Sequence, residues 1–328
     1  MRRREFITLL GGTAVAWPFV GRAQQDVRVR RIGVLWSLLT AEESQTTSGA
    51  FVQGLQQLGW SIGGNLRIDH RWGLSDPDRL RRSAEELVAL APDVLLAAGN
   101  SAATVLQQAT RTMPIVFANV PDPVGAGFAE SLPRPGGNMT GFMNMEYGQS
   151  AKWLELLTQI APQVKRVAML RSVIGVAGPA QFAAIQTVAP LFGVEVFPIT
   201  VRGPAEIERV LTEFAHVPNG GLIMPTGIAA SAQRSSIIPL AARHRLPAVY
   251  GSRNFVIEGG LICYGADGLD LYRRSASYVD RILKGEKPAG LPVQTPTKYQ
   301  VVLNLKTAKA IGLDVPASIF ARADEVIE

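Results

Sequence analysis

Two short loops hold residues whose types and spacing suit them to bind a small ligand. Their polar and small residues are Asn100, Ser101 and Ala102 in the first loop and Asn119 and Asp122 in the second. Serine and asparagine side chains, together with the free N–H groups of a helix start, favour an anionic group such as a carboxylate. The alternative is structural, because Asn100 or Ser101 would also cap a helix and the Pro-Asp-Pro-Val-Gly sequence around Asp122 would also form a turn. The adjacency of two such loops favours a binding site.

Two predicted strands and a helix position these loops. Apolar runs at residues 93–98 and 115–118 are typical of parallel strands that are covered on both faces. Residues 101–109 between them have the spacing of a helix. In an open α/β sheet a ligand binds beyond the carboxyl ends of the strands. This strand, helix, strand unit therefore places both loops on the rim of one crevice.

Similar loops of small, polar or aromatic residues follow the other predicted strands. We expect them to face the same crevice, where aromatic rings offer apolar walls and polar groups contact a small solute. Ordinary packing at the sheet edge is an equal alternative for each ring, and Arg171 has two candidate partners, an anionic ligand or Asp122. The candidate residues of these further loops are Trp36, Ser37, Arg171, Thr226, Tyr250, Tyr264 and Asp267.

The order of the predicted elements indicates an α/β fold with two lobes. Strict alternation of strands and helices implies parallel sheets with helices on both faces. A chain of 328 residues with 47% hydrophobic content is long enough for two doubly wound parallel-sheet lobes joined by a hinge of several crossings. The strongest break is the Pro-Arg-Pro-Gly-Gly-Asn run at residues 133–138, where we expect the first crossing. The expected parts are residues 31–143 with 265–290 as lobe 1, residues 144–264 as lobe 2, and residues 291–328 as a tail that returns across the hinge to lobe 2.

The first 23 residues have the pattern of an export signal and do not belong to the predicted fold. Arginines at positions 2–4 precede an apolar run at residues 9–20, which is too short to span a bilayer. Gly21-Arg22-Ala23 offers a cleavage site. Because paired arginines stand just before Phe-Ile, the segment resembles a twin-arginine signal. We therefore expect export to a bacterial periplasm and cleavage near Ala23.

Composition and motifs argue against several classes of function. The N-terminal segment carries half of the formal net charge of +6, and no Lys/Arg cluster with interleaved aromatics indicates nucleic-acid binding. The three histidines lack the spacing of metal ligands, and the sequence contains no HExxH, GxxxxGK[ST] or GxSxG motif and no GxGxxG after the first strand. The sole cysteine, Cys263, lies in an apolar run as a buried thiol. The sequence predicts a binding protein without catalytic residues, cofactor or metal.

Longer stretches of the sequence resemble a known family. They are RRIGVLW near the start, PDPVGAGFAESLPRPGGNMTGF around Asp122, and YVDRILKGEKPAGLPVQTPTKYQVVLNLKTAKAIGL towards the C-terminus. The chain is similar to ABC-transporter substrate-binding proteins of an uncharacterised branch related to the tryptophan/tyrosine-binding family. The resemblance implies a type I periplasmic-binding fold. It also implies ligand contacts at Asn100, Ser101, Ala102, Asp122 and Thr226.

The resemblance implies a function in solute uptake. A monomeric clamshell would close on one small organic solute, an aromatic carboxylate or an amino-acid-like molecule, and pass it to an ABC permease in the inner membrane. Residues 225–228 are Pro-Thr-Gly-Ile, whereas amino-acid-binding relatives tend to have Pro-Thr-Asp-Asn there. Because the acidic partner of an ammonium group is missing, we expect a carboxylate-bearing solute without a primary amine. The alternatives are a ligand sensor subunit for a membrane receptor and an exported enzyme.

Overall fold

The computed structural model shows two β-sheets, each with helices packed on both faces. The predicted export signal and Thr226 lie outside the described residues. No helix in the described part of the chain is both long and apolar enough to cross a membrane. The structure describes residues 28–37, 44–74, 76–172, 177–201, 204–225 and 233–328.

The first sheet is parallel throughout and has the strand order β2-β1-β3-β4-β5. Every residue of its central strand β3 is buried, which explains the unbroken apolar run there. Because β5 pairs with β4, the chain leaves this sheet one strand later than the Pro-rich run at residues 133–138. The strands are β1 (Arg30–Trp36), β2 (Leu66–Trp72), β3 (Val94–Ala98), β4 (Ile115–Val120) and β5 (Met139–Met143).

Four helices cover the first sheet. Asp76 caps the second of them by accepting hydrogen bonds from the backbone N–H groups of Asp78 and Arg79. The last of the four comes from far along the chain, and its Leu271 and Val279 are buried in the same core as Phe51. These helices are α1 (Gln45–Gln57), α2 (Pro77–Ala89), α3 (Asn100–Ala109) and α9 (Gly268–Leu283).

The second sheet has seven strands in the order β12-β11-β10-β9-β8-β6-β7. All neighbours are parallel except β10 and β11, which run antiparallel. Strand β12 was not predicted from the sequence. The strands are β6 (Arg166–Ser172), β7 (Glu195–Val201), β8 (Gly220–Met224), β9 (Ala248–Tyr250), β10 (Ile262–Ala266), β11 (Tyr299–Asn304) and β12 (Glu325–Ile327).

Helices on both faces of the second sheet bury its two layers of core residues. One layer includes Trp153 and Leu157, and the other includes Leu211 and Phe255. The helices are α4 (Ser150–Ile160), α5 (Ala177–Val188), α6 (Pro204–Ala215), α7 (Arg234–Arg243), α8 (Arg253–Ile257), α10 (Leu305–Ile311) and α11 (Ala317–Phe320).

The two sheets are joined by three short connections, which we call the hinge segments. They are residues 144–149 after β5, Asp267 after β10, and residues 295–298 before β11. The first two leave from carboxyl ends of parallel strands, and the third enters at the same edge because β11 is antiparallel to β10. The carboxyl ends of both sheets therefore meet at the hinge segments.

The strand order repeats between the two sheets. The order β2-β1-β3-β4-β5 of the first sheet corresponds to β7-β6-β8-β9-β10 of the second. In this correspondence β6 is the equivalent of β1, and β8 is the equivalent of β3. The loops that follow equivalent strands thus occupy equivalent places on the two rims.

Candidate functional site

The start of helix α3 lies on the first rim and is partly exposed. Gly99, at φ 96°, takes the position before the helix, so neither Asn100 nor Ser101 caps it, and that structural alternative is wrong. The side chains of Asn100 and Ser101 make no hydrogen bond to any described residue. The first helical hydrogen bond runs from Ala103 N to Gly99 O at 3.1 Å, which leaves three earlier N–H groups without a helical partner. Ala102 has a fully buried side chain and can offer only its N–H.

The Asp122 carboxylate is held by two hydrogen bonds within the protein. It accepts one from the backbone N–H of Gly125 at 2.8 Å and one from the hydroxyl of Tyr147 at 2.6 Å. Partial burial and the neighbouring Asp122 raise the pKa of Tyr147 above its usual range, so this hydroxyl remains a donor. Asp122 therefore fixes its own turn and ties it to the first hinge segment.

Asn119 lies at an irregularity in strand β4, where the register with β5 shifts. Its φ of 64° is left-handed, a conformation that asparagine tolerates better than most residues. Its side chain is exposed, and its Oδ1 accepts a hydrogen bond from Nδ2 of Asn144 at 2.7 Å. Asn119, a predicted ligand contact, is therefore hydrogen-bonded to the first hinge segment.

Trp36 and Ser37 do not open to the crevice, so their prediction as ligand contacts is corrected. Trp36 is 1% exposed, donates from Nε1 to Nδ1 of His70 at 3.1 Å, and packs against the ring of Tyr272. Ser37 is buried and its hydroxyl donates to the carbonyl of Ala98 at 2.8 Å. The reason is that both faces of β1 are covered, so residues at its end still pack into the core.

The two tyrosines of the second sheet differ in environment. Tyr250 is 1% exposed and stacks on Phe255 with ring centroids 4.8 Å apart, so its prediction as a crevice wall is corrected to a core position. Tyr264 is half-buried and stacks on Tyr299, 5.6 Å away, close to the third hinge segment. Of these two predicted aromatic walls, Tyr264 alone remains accessible.

Asp267 caps helix α9. Its carboxylate accepts hydrogen bonds from the N–H groups of Leu269 at 3.0 Å and Asp270 at 3.2 Å. The same residue forms the second hinge segment, so the chain enters α9 directly as it crosses. The predicted ligand contact is corrected to a structural cap.

Arg171 is not paired with Asp122. It lies near the carboxyl end of β6, donates from Nε to the hydroxyl of Thr200 at 3.0 Å, and places its guanidinium 5.8 Å from the ring centre of Phe182. No carboxylate of the described residues lies within ion-pair distance of it. Of the two partners considered from the sequence, the anionic ligand is the one still open.

Two polar residues on the first hinge segment and its helix were not singled out by the sequence pattern. Asn144 is 8% exposed and its Oδ1 has no hydrogen-bond partner among the described residues, and the same holds for Oγ of the fully buried Ser150. Polar residues directly after β5 were the available signal. Both atoms belong to residues at or directly after the first hinge segment, and buried polar atoms without a partner are unusual in proteins.

The chemistry available to this arrangement is recognition of a polar or anionic solute. Within the described ranges no three His, Cys, Asp or Glu side chains cluster to hold a metal ion. Burial raises the pKa of the Cys263 thiol to about 12, which keeps it protonated and unreactive. Two sheets of matching order whose strand ends meet at three hinge segments define the class of two-lobed solute-binding proteins.

Residues 32–327 match the family described as ABC transporter substrate binding protein, and the chain belongs to that family. This confirms the resemblance drawn from the sequence, and it makes the chain a substrate-binding protein of the ABC type and not an enzyme. The chain is similar to a tyrosine-binding protein of Clostridioides difficile (strain R20291), with 24% identity over 269 residues, 80% of this chain and 75% of the relative.

Solved structures agree with this assignment. The ABC domain in complex with L-Trp from Streptococcus pneumonia superposes with a TM-score of 0.82 at 25% identity, covering 91% of this chain and 99% of that one. A conserved domain protein from Vibrio cholerae O1 biovar eltor gives 0.82 at 24% identity, covering 91% and 100%. A solute-binding protein from Bacillus halodurans C-125 with bound myo-inositol gives 0.58 at 12% identity, covering 87% and 98%. The latter two likenesses concern the fold, which is the type I periplasmic-binding fold.

Proposed function

We propose that the protein is the periplasmic component of an ABC importer and that it captures one small carboxylate-bearing solute between its lobes for delivery to an inner-membrane permease. The observation that carries this proposal is the start of helix α3, where three N–H groups and the side chains of Asn100 and Ser101 have no partner among the described residues. A helix start with free donors stabilises a negative charge. A carboxylate is the commonest group of that kind on a small solute.

The rest of the solute would lie towards the hinge segments. The half-buried ring of Tyr264 offers an apolar surface for a ring or a chain. Asn144 and Ser150 offer one buried acceptor or donor each. A solute that contacts both rims stabilises the closed arrangement because only that arrangement lets it make all of its contacts.

The relatives support an aromatic solute, since one is named for tyrosine and another was solved with L-Trp. The sequence at residues 225–228 supports a solute without a primary amine, because it lacks the acidic residue of amino-acid-binding relatives. We therefore propose an aromatic carboxylate, and an aromatic amino acid is the competing ligand.

The deciding experiment is mass spectrometry of the small molecule released when the purified protein is denatured. It is combined with thermal shift assays of ligand-free protein with indole-3-acetate and phenylacetate, each compared with tryptophan and phenylalanine. Stabilisation by the acids supports the proposal. Stabilisation by tryptophan or phenylalanine and none by the acids would show that the solute carries an amine.

Ser101→Ala isolates the role of the helix start. Because the Ser101 hydroxyl has no partner in the described protein, we expect the melting temperature of the ligand-free form to stay the same while the affinity for the solute falls several-fold. Thr104→Val is the matched control, since its hydroxyl bonds the carbonyl of Asn100 inside the same helix. Equal affinity of Ser101→Ala and wild type would remove the helix start from the site.

The partner and the compartment need separate tests. Cell fractionation of the chain with Arg3 and Arg4 both changed to lysine tests twin-arginine export, for which we expect loss of the periplasmic form. Neighbouring genes for a permease and an ATPase would support uptake, whereas a neighbouring histidine kinase would support the sensor alternative.

A further inference from the structure

The strand order shared by the two sheets places Arg171 one strand to the side of the proposed carboxylate site and not directly opposite it. Helix α3 follows β3, whose equivalent in the second sheet is β8, so the loops after β3 and β8 oppose each other across the hinge. Strand β6 is the neighbour of β8, with Met169 level with Ile223. The same offset places Arg171 level with Pro225, one strand away. Neighbouring strands lie about 4.8 Å apart.

Arg171 is anchored in a way that leaves its outer nitrogens available. Its Nε donates to Thr200 and its guanidinium faces Phe182, so the plane of the group is held from two sides. The two terminal nitrogens make no hydrogen bond to any described residue. A planar guanidinium with a free outer edge matches a carboxylate in a two-point contact.

Acidic side chains of the loop after β4 and of the hinge segments are already engaged elsewhere. Asp122 bonds Gly125 and Tyr147, Asp267 caps helix α9, and Glu146 on the first hinge segment accepts a hydrogen bond from the hydroxyl of Tyr299 at 3.4 Å. No ion pair with Arg171 is formed by any described residue. Arg171, near the carboxyl end of β6, therefore lacks a counter-charge among the described residues.

We propose that Arg171 binds a second acidic group of the solute and that the solute is a dicarboxylate. This rests on the proposed function, in which the start of helix α3 takes the first carboxylate. Since the two sites are offset by one strand, and the arginine side chain leans away from β8 towards Thr200 on β7, we expect the two acidic groups to be at least about 5 Å apart. A rigid para-substituted ring or an extended six-carbon chain holds two carboxylates farther apart than this.

The test compares diacids with their monoacid counterparts by isothermal titration calorimetry on the purified protein. The probes are terephthalate against benzoate and adipate against hexanoate. We expect at least one diacid to bind roughly 10- to 100-fold more tightly than its monoacid, the effect of one charge-assisted contact. Arg171→Gln should remove that preference, so that a diacid and its monoacid bind with about equal affinity.

Two further variants separate charge, geometry and folding. Arg171→Lys keeps the charge but not the planar fork, and Thr200→Val removes the anchor of Nε, so both should reduce the diacid preference only in part. Thr200 is a positioning residue, and the ratio of diacid to monoacid affinity is a readout that a loss of stability alone would not move. Arg166→Gln is the matched control, because Arg166 lies at the other end of β6 and packs against Phe197 and Phe214.

The outcomes distinguish this inference from the proposed function. If monoacids or amino acids bind but neither diacid is preferred, or if the preference survives Arg171→Gln, the dicarboxylate inference is overturned and the proposed function stands. If no acid or amino acid binds and no solute is released on denaturation, the proposed function fails. A diacid preference that is lost in Arg171→Gln and kept in Arg166→Gln supports both.

Discussion

The hydroxyl of Tyr147 donates a 2.6 Å hydrogen bond to the carboxylate of Asp122. This bond joins the first hinge segment to the loop after β4, two parts of the chain that are 25 residues apart. Asp122 also holds the N–H of Gly125, so one carboxylate stabilises the loop and connects it to the hinge. The strength of this connection can be measured.

Asp122→Ala should lower the free energy of unfolding by about 1–2 kcal/mol, because two hydrogen bonds to a charged group are lost at a partly exposed site. Tyr147→Phe should cost about 0.5–1 kcal/mol, since it removes only one of them. Urea unfolding of both single variants and the double variant gives the coupling. Strictly additive effects would mean that the bond between the two side chains contributes nothing.

Tyr250→Ala and Tyr264→Ala should behave differently. Tyr250 is fully buried, so its truncation should cost about 3–5 kcal/mol of unfolding free energy. Tyr264 is half-buried, so we expect a loss of about 1–2 kcal/mol together with a weaker affinity for the solute. Calorimetric unfolding and solute titration on both variants test this contrast. A larger stability loss in Tyr264→Ala than in Tyr250→Ala would contradict the assignment of core and crevice.

The free energy of unfolding should fall with pH below the ordinary His70 pKa of 6.5. Burial lowers the pKa of His70 in the folded protein, with the charge of Asp69 opposing this in part, and its Nδ1 accepts a hydrogen bond from Trp36. Above pH 6.5 the ring is neutral in both states. Below it the unfolded chain binds the proton first, so stability is lost until the pH reaches the lowered pKa of the folded state.

The measurement is urea unfolding between pH 5 and pH 8 for wild type and His70→Gln, which keeps an acceptor for Trp36. We expect a flatter pH profile in His70→Gln. His216→Gln is the matched control, because it also removes a histidine, and His216 is exposed on the second lobe. An identical slope in His70→Gln and wild type would assign the pH dependence to other groups.

Gly265→Ala should destabilise the rim of the second sheet. A Cβ at Gly265 would fall on the backbone carbonyl of Gly251, and backbone cannot move as a flexible side chain does. We expect a loss of about 1–3 kcal/mol in thermal unfolding. Gly268→Ala is the matched control three residues away, where no described atom lies within 4 Å of an added Cβ, and it should be neutral or slightly stabilising. Equal melting temperatures for the two variants would contradict this.

Much of the fold could be predicted from the sequence because buried parallel strands are apolar without interruption. Strand β3 and helix α3 lie within one residue of the predicted ranges 93–98 and 101–109, and β4 begins at the predicted residue 115. Strand β12 was missed, since Glu325–Ile327 is short and polar at its start and is held by pairing with β11, a contact far along the chain. Local patterns carry no information on such pairing.

The candidate site was harder to predict, for reasons that particular residues show. Trp36 and Tyr250 lie at strand ends, where ligand contacts are also found, yet both are buried by the covering helices. The sequence does not indicate how far a helix extends over a strand end. Asp267 has the pattern of a helix cap as well as that of a ligand contact, and the structure shows the cap. Asn100, Ser101 and Arg171 stay predictions as ligand contacts. The side chains of Asn100 and Ser101 and the terminal nitrogens of Arg171 have no partner in the described protein.

The three hinge segments limit how the lobes can move. A single linker would let one lobe swivel freely, but with three side-by-side connections any twist would stretch at least one of them. The shortest, Asp267, also holds the first turn of helix α9, so the residue cannot rotate far without releasing that helix. We therefore expect opening to follow one bending motion, with solute entry along the face opposite the connections.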